Sequence, residues 1–120
     1  MAQNTEVFDA LKNILSPYKA KLALGLDDAG NFSLDIPLEE GGKKSEFFAA
    51  IQIKKNYVSF HLMPVYYHPD LLKSISADLK KRMQGKSCFN FTKVDDDLLL
   101  ELSTLVKSSF AKYKAENKIK

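Results

Sequence analysis

Two runs rich in β-branched and aromatic residues, FFAAIQIK from Phe47 to Lys54 and YVSFHLMPVYY from Tyr57 to Tyr67, flank the dipeptide Lys55-Asn56. So short a link joins antiparallel neighbours, which makes the middle of the chain a hairpin of central strands. Alternation sorts the second run into two faces. Val58, Phe60 and Leu62 fall on one side, and Tyr57, Ser59, His61 and Met63 on the other. The same period assigns Phe48, Ala50 and Gln52 to the second side. The first face is wholly apolar and must be covered. The second is mixed and can meet water, a ligand or a partner.

The flanking segments supply the cover. Val7, Phe8, Leu11, Ile14, Leu15 and Tyr18 recur at helical spacing, and Pro17 sets a boundary, so a helix is predicted from about Thr5 to Leu15. Leu22, Leu24 and Leu26, then Phe32, Leu34 and Ile36, alternate around the turn formers Asp27 to Asn31 and read as a hairpin. Glu39 to Ser45 (EEGGKKS) reads as a mobile loop. Pro69 suits the first position of a short helix, and Ser76 can cap a second one running to Met83. Gly85 then stops the helix, and Ser87 to Phe91 forms a short strand. Thr92 and Asp95 have capping-box spacing before a leucine-rich helix that runs to about Lys114. The predicted order is α-β-β-β-β-α-β-α. This is a two-layer α+β fold, with an antiparallel sheet of about five strands and both end helices on one face.

At 120 residues the chain is predicted to be one domain spanning residues 1–120. Its net charge of +3 does not mark a nucleic-acid binder. A single cysteine, Cys88, precludes an internal disulfide and a cysteine-rich zinc site. The first residues, MAQNTEVFDALKN, lack a basic start followed by an apolar run, and no apolar stretch approaches a membrane span. A cytoplasmic location is the expectation, with no membrane partner and no nucleic acid.

Several short motifs invite functional readings. Gly85-Lys86-Ser87 resembles the tail of a phosphate loop, but Lys80 stands where the earlier glycine is needed. Asp27 to Glu39 lacks the calcium-loop glycine, since Phe32 occupies that position. His61 and His68 do not share metal-site spacing. Cys88 with His61 is the one candidate pair for nucleophilic chemistry, provided the thiol is acidified. Asp95, Asp96, Asp97 and Glu101 fit the positive end of a helix dipole better than a cation site. Lys80, Lys81, Arg82 and Lys86 form a basic patch near Tyr66 and Tyr67.

The face carrying Tyr57, Ser59, His61 and Met63, with Phe48 and Gln52 beside it, is the candidate ligand surface. The residues favour a non-enzymatic binding or interaction module over an enzyme, with an unidentified small ligand or a second copy in a homodimer as partner. No cofactor is expected.

From Tyr57 to Phe91 the chain resembles the YdhG-like family (domain of unknown function 1801). The resemblance lies in a strand reading roughly aromatic-Val-Ser-Leu-His/Tyr, here Tyr57 to His61 with Phe60 in the leucine position, a lysine-rich helical stretch, and Gly85, Lys86, Cys88, Phe89 and Phe91 ahead of the last helix. It covers the C-terminal half well and the N-terminal half loosely. It implies an α+β fold like that of frataxin and, for some relatives, iron handling. The acids offered where a frataxin-type ridge would lie are Glu6, Asp9, Asp27 and Asp28.

Overall fold

The structure, a computed structural model, describes residues 2–36 and 46–115. The predicted loop from Glu39 to Ser45 lies outside the described residues. Helix α1 (Ala2–Leu15) leads to strands β1 (Ala23–Asp27), β2 (Asn31–Ile36), β3 (Glu46–Ile53) and β4 (Val58–Leu62). Two short helices follow, α2 (Pro64–Tyr67) and α3 (Ala77–Lys80), with a 3-10 segment at Pro69–Ser74 between them. Strands β5 (Met83–Gln84) and β6 (Cys88–Phe91) precede the long helix α4 (Asp96–Ala115). The sheet has six strands in the order β1-β2-β3-β4-β6-β5, and every neighbouring pair is antiparallel.

One face of this sheet is the core. Phe32 and Leu34, Ala49 and Ile51, Val58, Phe60 and Leu62, and Phe89 and Phe91 are all buried there. Helix α1 covers it with Val7, Phe8, Leu11 and Leu15, and α4 with Leu102, Leu105, Val106 and Tyr113. The two helices touch each other. The segments α2, Pro69–Ser74 and α3 pack on α4, so they join the helical layer and do not cross the other sheet face.

The predicted elements are present, with instructive corrections at their ends. The run from Tyr57 to Tyr67 is not one strand. It stops at Leu62, because Pro64 carries no N–H for a ladder and its fixed φ starts the helical turn α2. The predicted helix up to Met83 ends at Lys80, and Met83 and Gln84 form a sixth strand opposite Phe89 and Cys88. Gly85 makes this possible. It adopts φ +83°, a left-handed conformation that reverses the chain within three residues, so it serves a hairpin turn and not a helix stop. Helix α4 begins at Asp96 and not at Thr92. The carboxylate of Asp95 accepts the Leu98 N–H at 3.2 Å and is the cap.

Ser76 caps α3 as predicted, accepting the Leu79 N–H at 3.2 Å. Its own N–H and hydroxyl both donate to the Glu101 carboxylate, tying α3 to α4. At the sheet edge, Lys12 of α1 pairs with Asp27 at 2.8 Å and lies over the Phe32 ring. Gly25 of β1 admits no side chain without displacement, since an added Cβ would meet the Ser33 hydroxyl and come within 2.9 Å of the Asp35 carboxylate.

Candidate functional site

Among the described residues no helix covers the second face of β3, β4, β5 and β6, which bears a recess of about 380 Å³. Register builds it. Ser59 lies between Gln52 of β3 and Asn90 of β6, and His61 between Ala50 and Cys88. Gln84 stands beside Cys88 and extends the floor to the far edge. Tyr57 and Lys54 close the end nearest the β3–β4 turn.

Neighbouring side chains hold this floor in place. Gln52 donates from Nε2 to Asn31 Oδ1 at 2.9 Å, and Asn90 donates from Nδ2 to Gln84 Oε1 at 2.6 Å. Each amide has further donors or acceptors for a ligand. Ser87, buried at the β5–β6 turn, shares a hydrogen bond of 2.6 Å with His61 Nε2, and its carbonyl accepts the Leu62 N–H at 2.9 Å. The turn therefore fixes the imidazole from below.

Burial sets the protonation states. It pushes the Cys88 thiol above its usual range, although hydrogen bonds to Ser59 and Ser87 and the charge of Lys54 pull the other way. Burial also holds His61 below its usual 6.5. A neutral thiol beside a neutral imidazole can donate and accept hydrogen bonds, but it lacks the acidified sulfur that nucleophilic catalysis uses. Lys54 carries the one formal charge among the described residues that line the recess.

A pH dependence follows. The unfolded chain binds a proton at His61 near pH 6.5, while the folded chain resists it. The resulting stability is fully present above that value and is lost as pH falls from 6.5 through the depressed folded value. Urea midpoints measured from pH 7.5 down to pH 5, an interval of about one unit or more on either side of an ordinary histidine pKa, should fall more steeply for wild type than for His61→Gln. Parallel curves would mean that His61 titrates as a solvent-exposed group.

Of the residues singled out by alternation, the structure gathers Gln52, Tyr57, Ser59 and His61 on one surface. Two go elsewhere. Phe48 is fully buried in the core face, because the register of β2 on β3 slips between Leu34↔Ala49 and Asp35↔Phe47 and leaves Phe48 as the extra residue of a bulge. Met63 lies past the end of β4 in helical conformation, at the cap of α2, and does not line the recess. Asn90, Gln84 and Ser87 were not singled out in the sequence. Asn90 falls on this face by alternation with Phe89 and Phe91, whereas Gln84 and Ser87 depend on a two-residue strand that no periodicity signals.

The acids of the metal reading do not converge. Glu6 and Asp9 are exposed on α1, and Asp27 is engaged by Lys12. The Asp28 carboxylate accepts the Gly30 N–H and the Asn31 amide within its turn, contacts that hold it below the usual range. Among the described residues, no group of three or more His, Cys, Asp or Glu side chains is placed to hold a metal ion. None of their helices is long and apolar enough to cross a membrane.

Fold and site together define a two-layer α+β domain with one sheet face packed and the other presenting a polar recess. Compared with known proteins, the chain matches no family model, no curated protein and no solved structure.

Proposed function

We propose that this chain is a binding module that holds a small, polar, hydrogen-bonding ligand on its open sheet face. One observation carries the reading: a recess of about 380 Å³ floored by amide, hydroxyl, thiol and neutral imidazole groups, of which the amides and the imidazole are held by hydrogen bonds to their neighbours. That volume lies within the range of small-molecule sites, roughly 300–1,000 Å³. Pre-oriented polar groups lower the ordering cost of binding. Lys54 favours a ligand with no charge or one negative group. The proposal is non-enzymatic, since Cys88 lacks acidification and Ser87 is buried. Membership of the YdhG-like group belongs to the same proposal and rests on Gly85, Lys86, Cys88, Phe89 and Phe91 at the β5–β6 hairpin.

The test uses Ser59→Trp, which fills the recess from its centre without touching the core face. Native mass spectrometry of gently purified wild type should show a small non-covalent adduct that the variant lacks. Wild type at its bare sequence mass, or the same adduct on both proteins, would overturn the proposal.

A second reading has its own observation. Among the described residues strand β1 is an outer strand of the sheet, exposed along its whole length, with Leu24 and Leu26 each 52% exposed. Such an edge is a template for pairing with a second copy. Light scattering should then report a homodimer that Leu24→Lys dissociates.

A further inference from the structure

The β5–β6 hairpin divides two surfaces. Gln84 faces the polar recess, while Met83 faces a separate groove of about 510 Å³ against the helical segments that follow β4. We infer that this second groove binds a free amphiphilic carboxylate, a molecule with an aliphatic or aromatic body and one negative end.

The groove has the two halves such a ligand needs. Its floor and walls are apolar: Val65 and Tyr66 from α2, Pro69 and Leu72 from the 3-10 segment, and Met83 from β5. Tyr66 remains 47% exposed here, a large aromatic surface left uncovered by the fold. The remaining lining comes from the turn, Gly85 and Lys86. Gly85 leaves the mouth open, since nothing lies within 4 Å of where its Cβ would stand.

Charge selects the occupant. Lys86 is the charged residue among the described residues lining the groove, and no carboxylate joins it. The stretch of sequence that supplies most of the lining, residues 69–87, carries Lys73, Lys80, Lys81, Arg82 and Lys86 against Asp70 and Asp78, five positive less two negative, a net +3. Lys86 on the groove lining therefore attracts an anion and repels a cationic amphiphile. Of the basic patch and the adjacent tyrosines evident in the sequence, Lys86 and Tyr66 line this groove.

Calorimetry with octanoate and with octan-1-ol, equal in chain length, separates the charge from the apolar body. Octanoate should bind wild type with one molecule per chain and about tenfold more tightly than the alcohol, the worth of one charge-assisted hydrogen bond. Lys86→Glu, at an exposed turn position, should remove that preference. Amide shifts during the titration should centre on Leu72 and Gly85. Ser59→Trp should leave octanoate binding intact, which keeps this site distinct from the polar recess. Equal affinities for acid and alcohol, no octanoate binding, or loss of binding in Ser59→Trp would each overturn the proposal. So would saturation of the same amide shifts on raising protein concentration alone, which would make a second copy the occupant.

Discussion

Phe48→Ala should lower the stability of the fold by about 3–5 kcal/mol and leave ligand binding by the folded protein unchanged. Sequence alternation places Phe48 beside Gln52 on the ligand face. The bulge in β3 turns it inward instead, where its ring lies 6.0 Å from those of Phe110 and Tyr113 and 6.4 Å from that of Tyr18. It links the sheet to α4 and to the 3-10 turn that ends α1. Truncation leaves a cavity between three elements that cannot close it without moving a helix. Urea unfolding should show a lower midpoint at constant slope. Gln52→Ala, at an exposed position, should change stability by no more than about 0.5 kcal/mol. A loss below about 1 kcal/mol for Phe48→Ala would return that ring to the open face.

A second large effect is expected one strand away. Phe60 is fully buried between Ile51 and Phe89 on the core face of β4, so Phe60→Ala should also lose about 3–5 kcal/mol. Its neighbour Ser59 points to the opposite face. Ser59→Ala removes one hydroxyl and should cost about 1 kcal/mol or less, through the contact with Cys88. The contrast between adjacent residues is the signature of a strand with one packed and one open face. Similar losses at both positions would mean that the Ser59 face is covered.

The alternation of Val58, Phe60 and Leu62 against Ser59 and His61 was enough to identify the two faces of β4, because burial on one side imposes a strict period of two. The stripes of α1 and α4 were equally legible, since each helix has one partner layer. Three features were not. The bulge at Phe48 depends on how β2 and β3 register against each other, and Phe48 read alone obeys the wrong alternation. The strand at Met83–Gln84 is two residues long, too short for any period, and exists because Gly85 reverses the chain. Met63 fails because its backbone has already turned helical ahead of Pro64, although its N–H still donates to the Phe48 carbonyl at 3.0 Å. Half of the site was therefore visible as one face of the β3–β4 hairpin, with Ala50 and Gln52 on one strand and Ser59 and His61 on the other. The other half, Gln84, Ser87 and Asn90, comes from a hairpin that tertiary pairing lays alongside.

The central claim is that the open sheet face is a ligand site. Chemical-shift mapping of the 15N-labelled protein against a library of small polar compounds tests it most directly. Compounds that bind should shift the amides of Ala50, Gln52, Ser59, His61, Cys88 and Asn90 together, and Ser59→Trp should abolish the response. A library whose binders all leave those amides unmoved, or that yields no binder at all, would contradict the account.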